Sequence, residues 1–199
     1  MSELISSKSI LNILIKKKLN FCHENLTDAA VLLAITNEPE PKILLTRRAE
    51  HMSHHAGEVS LPGGRSEESD ETNREVVLRE LFEELGLQSE YICFIGELPV
   101  QKSLAGLCVT PLVALIPPDL MFTPNPNEVS EVFYIPLNYF LIQETQEYLA
   151  QYAHGQVLVS SIHFKGEIIW GLTARIILSL FEITLNYKKD WIFYSNEIA

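Results

Sequence analysis

Glu80, Glu83 and Glu84 stand at i, i+3 and i+4, a spacing that on a helix brings three carboxylates within reach of one another. Nothing basic lies between them, so their mutual repulsion invites a divalent cation, and hard oxygen donors suit Mg²⁺ or Mn²⁺. Arg79 precedes Glu83 by four residues and can orient it. Just upstream, Pro62-Gly63-Gly64 frees the backbone to pass close to a ligand. Arg47 and Arg48 follow the apolar run Ile43-Leu44-Leu45, and an arginine at a strand end can grip phosphate oxygens bidentately. Ordinary surface charge is the competing reading for both, and it is the one kept for Arg47. His55 either holds its loop by hydrogen bonds or touches substrate, with Gly57 two residues on; His51 and His54 read as loop residues. The competing reading of the glutamates is a solvated helix face, as most charge runs are. The glycine pair and Arg79 beside them favour the cation.

These groups need rigid elements beneath them. Thr72-Asn-Arg-Glu75 has capping-box spacing and Gly86 follows the last apolar residue, so a helix is expected between them. At ~100° per residue, Val77, Leu78, Leu81, Phe82 and Leu85 share one face and the three glutamates lie roughly opposite. Ala29 to Thr36 is an apolar run suited to a strand buried on both faces. Lys42 to Thr46 returns from the Glu38-Pro-Glu-Pro41 turn as its hairpin partner. Tyr91–Leu98 and Leu107–Ile116 read as strands around a Pro99–Gly106 loop that borders the site. Asn125 to Pro136 is an acidic loop entering another strand, with Glu128 read as surface charge and Glu131 as structural. Residues 157–164 and 167–170 pair across Lys165-Gly166, and a last helix from Gly171 covers the sheet with Ile176, Ile177, Leu180 and Phe181. Residues 5–19 form an amphipathic helix with a basic end.

The 199 residues suit one domain with a sizeable core. A formal net charge of −11 argues against a nucleic-acid partner. Cys22, Cys93 and Cys108 are widely spaced and odd in number, as buried free thiols rather than a disulfide framework. No stretch approaches ~20 uninterrupted apolar residues and no signal-peptide pattern is found, so a cytoplasmic protein with no membrane partner is expected.

Gly64, an acidic residue, and Arg79-Glu80-Leu81-Phe82-Glu83-Glu84-Leu85-Gly86-Leu87 together resemble the Nudix box of the Nudix hydrolase superfamily. The loop between is one residue longer than the usual box, which leaves either Asp70 or Glu71 as the first acidic position. Leu44-Leu-Thr-Arg-Arg48-Ala49, then His55-Ala-Gly57 and Leu61-Pro-Gly-Gly64, resembles the signature of the coenzyme A pyrophosphatase branch, as does Ile169-Trp-Gly-Leu-Thr-Ala174. The resemblance implies an α/β fold, the Nudix α/β/α sandwich with a mixed β-sheet. It divides the chain into an N-terminal helical extension over 1–24, a Nudix domain over 25–185 and a tail over 186–199. It implies Mg²⁺ or Mn²⁺ as cofactor, held by Glu80, Glu83 and Glu84, with Arg79 among the catalytic residues, and it makes Glu83 the first candidate for general base and Glu128 the second. Arg48, His55, Gly57, Gly63 and Gly64 would bind substrate. The reaction implied is hydrolysis of coenzyme A or acyl-coenzyme A to 3′,5′-ADP and (acyl-)4′-phosphopantetheine, and a homodimer is implied as well. The alternatives are another nucleoside diphosphate derivative such as ADP-ribose or a dinucleotide, and a non-catalytic Nudix-fold binding module.

Overall fold

A computed structural model describes residues 12, 13, 16, 19, 25–152 and 155–191. Asn12, Ile13 and Lys16 are helical; the rest of the helix expected over 5–19, together with Cys22 and the tail from residue 192, lies outside the described residues.

The centre of the molecule is the parallel pair β1 (Ala29–Thr36) and β7 (Cys108–Ile116), in register from Ala29↔Val109 to Thr36↔Ile116. Both are buried almost throughout because each face has its own cover. Ala30, Leu32 and Ala34, with Leu112, Ala114 and Ile116, pack on Val76, Val77, Leu81 and Leu85 of helix α1 (Asn73–Leu85). Leu33, Ile35, Val113 and Leu115 face the other way, with Ile176, Ile177, Leu180 and Phe181 of a long helix, Gly171–Leu185. Two covered faces leave no polar side to alternate, which is why these strands read as continuous apolar runs.

The sheet widens on both sides. β2 (Lys42–Arg48) pairs antiparallel with β1 and carries β3 (Val59–Ser60) and β8 (Val129–Pro136). β4 (Gly63–Arg65) pairs with the first residues of β1. β5 (Cys93–Glu97) and β6 (Gln101–Lys102) pair with β7, so the expected Pro99–Gly106 loop contains a two-residue strand. A separate three-stranded sheet is built from β9 (Gln146–Tyr152), β10 (Gly155–Phe164) and β11 (Glu167–Trp170). Its β10–β11 hairpin follows the sequence reading; β9 and the one-turn helix α2 (Tyr139–Ile142) were not read. The Gly171–Leu185 helix, α3, closes the fold, and among the described residues no helix is long and apolar enough to cross a membrane.

Helix α1 carries both expected caps. Thr72 Oγ1 accepts from the Glu75 amide at 3.2 Å, and the Glu75 carboxylate accepts from the Thr72 amide at 3.0 Å. Gly86 turns left-handed at φ 65° and Leu87 N–H reaches back to the Leu81 carbonyl. The rotation of the helix differs from expectation. Val76 replaces Leu78 at the heart of the buried face, Phe82 is 56% exposed, and Glu84 is buried at 3%. Glu84 lies seven residues from Val77, hence almost on the same line of the helix, and the helix turns that line inward. The thiols also depart from expectation: Cys93 and Cys108 are free but exposed, each being the first residue of its strand.

Candidate functional site

What draws Glu84 inward is the glycine pair of β4. Gly63 holds φ at 135° against Ala30 and Val31 of β1, where a Cβ would stand 2.6 Å from Val31 Cα. No other residue fits that approach without displacing the strand. Gly63 N–H then donates to Glu84 Oε2 at 3.1 Å. Gly64 leaves the room its missing side chain would take to the Glu80 carboxylate, which a Cβ there would overlap. Both glutamates therefore lie flush on the backbone of one short strand.

A third carboxylate completes the group. One oxygen each from Glu80, Glu84 and Glu128 lies within 4.8 Å of the others. Burial pushes the Glu84 carboxyl up to about 8, Glu80 and Glu128 add to the rise, and the Gly63 amide and Arg48 oppose it. Glu80 is raised in the same way by burial, against the pull of Arg79. Glu83 is not in this group: its side chain is half exposed and its Oε2 accepts from Arg79 Nη1 at 3.3 Å.

Arg79 is the hub of the outer rim. Its guanidinium donates to Asp70 Oδ2 at 3.0 Å, to the Arg65 carbonyl at 2.8 Å and to Glu80 Oε1 at 3.1 Å. Asp70 is buried, and Arg79 holds its carboxyl below the usual carboxylate range. Glu71, by contrast, is exposed and its amide donates to Glu75 in the helix cap. Of the two acidic positions left open by the longer loop, Asp70 is the one that faces the arginine.

Strand β2 brings the cationic side. Alternation sends Arg48 toward the α1 face and Arg47 toward the α3 face. Arg48 Nε is buried and has no hydrogen-bond partner among the described residues, and the charge of Arg48 is felt at both Glu84 and His55. Arg47 is not ordinary surface charge: it pairs with Glu131 at 2.8 Å and with Glu167, tying β2 to β8 and β11. The structural reading of Glu131 fits that pairing. His55 is exposed and bonds Glu58 Oε2 through Nδ1 at 3.0 Å, which raises its pKa and holds the loop. Gly57 turns left-handed at φ 70°, where a Cβ would sit 2.8 Å from the Glu50 carboxylate. His51 and His54 lie exposed in the same loop.

The family model of the NUDIX domain matches residues 26–154, which span β1 to β9 and the whole acidic group. The chain belongs to the Nudix hydrolase family. Two Nudix relatives, both NudL and both uncharacterised, are 39% identical: that of Photorhabdus laumondii over 79% of this chain and 84% of its own, that of Yersinia enterocolitica over 76% and 78%. A crystal structure of a MutT/nudix family protein from Enterococcus faecalis shares the fold, with TM-score 0.51 and 15% identity over 88% of this chain and 68% of its own. The architecture is thus the Nudix fold, with the box helix α1 on one face of a mixed sheet.

The donor set of this Nudix site fits a divalent cation. Three carboxylates converge, the buried Glu84 among them, beside the side-chain-free backbone of Gly63 and Gly64, and all the donors are hard oxygens of the kind Mg²⁺ and Mn²⁺ take. Glu128 was underrated from sequence, where it was a second-choice base and otherwise surface charge. The signal available was its place at the end of an Asn-containing acidic loop entering a strand.

Proposed function

We propose that this Nudix hydrolase cleaves the diphosphate bond of coenzyme A or an acyl-coenzyme A, releasing 3′,5′-ADP and (acyl-)4′-phosphopantetheine. The observation that carries the reading is the convergence of Glu80, Glu84 and Glu128 beside Gly63–Gly64, with the charge of Arg48 felt at Glu84 and its buried Nε without a partner among the described residues. A diphosphate resists hydrolysis because its negative oxygens repel an incoming hydroxide. Glu80, Glu84 and Glu128 would hold Mg²⁺ or Mn²⁺, which supplies charge neutralisation and a water of lowered pKa. Arg48 contributes a guanidinium whose Nε has no acceptor among the described residues, ready for a phosphate oxygen. Glu83, anchored at one oxygen by Arg79, offers the other to the proton of the attacking water, a role typically worth 10²–10⁴-fold. His55 and Gly57 shape the loop that follows β2, and Gly63 and Gly64 let substrate approach the carboxylates.

Coenzyme A is favoured among nucleoside diphosphates by the run from Leu44 through Arg48, His55 and Gly57 to Gly64, which resembles the coenzyme A branch. We place the reaction in the cytoplasm. The test is turnover of coenzyme A, acetyl-coenzyme A, ADP-ribose and diadenosine phosphates in Mg²⁺ and in Mn²⁺, with products identified by mass. Coenzyme A should give 3′,5′-ADP and phosphopantetheine fastest, and Glu84→Gln should lose roughly 10²-fold or more in kcat with its thermal transition retained. Faster cleavage of ADP-ribose would overturn the choice of substrate, and full activity of Glu84→Gln the choice of site.

A further inference from the structure

Glu128 comes from a loop, yet its carboxylate meets two glutamates fixed on a helix. The segment that delivers it is fastened at both ends. On the helix side, Thr123 N–H donates to the Leu85 carbonyl at 2.9 Å and Asn125 N–H to the Glu84 carbonyl at 2.9 Å. These are carbonyls that a helix end leaves without intrahelical donors. On the sheet side, Ala49 N–H donates to the Glu128 carbonyl at 2.9 Å. The register of β2 against β8 then shifts between Arg47 and Arg48, and Ser130 Oγ donates to the Arg47 carbonyl at 3.1 Å. A bulge beside a site re-aims the side chains that follow it.

Asn125 stands where the two anchorages meet. Its backbone carbonyl accepts from Glu128 N–H at 3.0 Å and Val129 N–H at 2.9 Å. Its Oδ1 accepts from Asn127 N–H at 3.1 Å, and its Nδ2 donates to Glu128 Oε1 at 3.0 Å. One residue thus binds the main chain of Glu84 and the side chain of Glu128, two members of the acidic group. We infer that Asn125 is a positioning residue that aims the Glu128 carboxylate at the oxygens of Glu80 and Glu84, making a loop glutamate a fixed third donor for the cation. The inference rests on the reading of that group as the cation site. The Asn125 amide itself touches no reacting atom.

The experiment is a double-mutant cycle of Asn125→Ser and Glu128→Ala in the full chain. Mn²⁺ affinity of the substrate-free protein is measured by electron paramagnetic resonance, beside kcat and KM for coenzyme A. Serine keeps an oxygen for the Asn127 amide and every backbone bond, but loses the donor to Glu128. Asn125→Ser should weaken Mn²⁺ binding about 10–100-fold, the usual effect of removing the partner of a metal-binding carboxylate. It should lower kcat more than it raises KM. In the Glu128→Ala background the same substitution should change Mn²⁺ affinity less than twofold, because nothing remains to be aimed. Equal losses in both backgrounds would show a general loosening of the loop and overturn the inference. So would unchanged Mn²⁺ affinity in Asn125→Ser. Should that variant not fold, Asn125→Ala enters the same cycle and is judged by the same two outcomes. Absence of Mn²⁺ binding to the unsubstituted protein would instead overturn the cation site, and the inference with it.

Discussion

At the scale of single residues, the rim of the site is held by the half-buried Arg79 paired with the buried Asp70. Arg79 bonds Asp70 twice, at 3.0 Å and 3.4 Å, while also holding Glu80 and Glu83. Asp70 has its carboxyl depressed below the unfolded value, so its stabilisation is present above about pH 4. It is lost as pH falls through the depressed folded value, where the native state must also take up a proton. Asp70→Asn should therefore cost about 1.5–3 kcal/mol at pH 7, the usual worth of a hydrogen bond to a charged group. In thermal melts between pH 7 and pH 2.5, the gap between this variant and the parent should narrow toward the acid end. A gap that widens on acidification would contradict the assigned direction. This pair was only half legible in the sequence. Arg79 was visible as the orienting cation, but a loop one residue longer than usual left Asp70 and Glu71 indistinguishable by counting. Only the path of the loop, with Glu67 N–H donating to Asp70 Oδ2 at 2.8 Å, turns Asp70 inward.

At the scale of elements, α1 and β4 form a single device. The helix was readable from its ends, because Thr72, Glu75 and Gly86 are local signals that act through bonds to near neighbours in the chain. Its rotation was not, because six apolar residues spread over more than half its circumference. Periodicity then leaves two rotations almost equivalent, and the tie is broken by Gly63 and Gly64 on another element. The two glycines should answer differently to alanine. Gly64→Ala meets the flexible end of Glu80, which can swing aside, so the melting temperature should hold within a few degrees while Mn²⁺ affinity falls at least tenfold. Gly63→Ala meets backbone at a left-handed φ and should cost about 1–3 kcal/mol in strain alone. Calorimetry beside Mn²⁺ titration separates the two. Equal loss of stability in both would mean that Glu80 cannot move. The same logic covers Arg47, whose partners Glu131 and Glu167 come from β8 and β11; nothing local to Arg47 announces them.

At the scale of the whole molecule, β1 and β7 provide a parallel centre buried on both faces, and the glycine pair that seats Glu80 and Glu84 lies against the first residues of β1. The central strands were legible because burial on both sides writes itself as uninterrupted apolar sequence. The three-stranded sheet of β9 to β11 was legible only in the hairpin closed by Lys165-Gly166, since β9 mixes exposed Gln146, Glu147, Leu149 and Gln151 with buried Ala150. Glu128 shows the same limit at longer range: its partners Glu80 and Glu84 are more than forty residues away in the chain. The central claim is that these three carboxylates form a single cation site. It is tested most directly by manganese anomalous diffraction from crystals of the full chain grown with Mn²⁺. The account predicts an anomalous peak bonded to oxygens of Glu80, Glu84 and Glu128 together. A map with no peak there, or with Glu84 facing away from the other two, would contradict it.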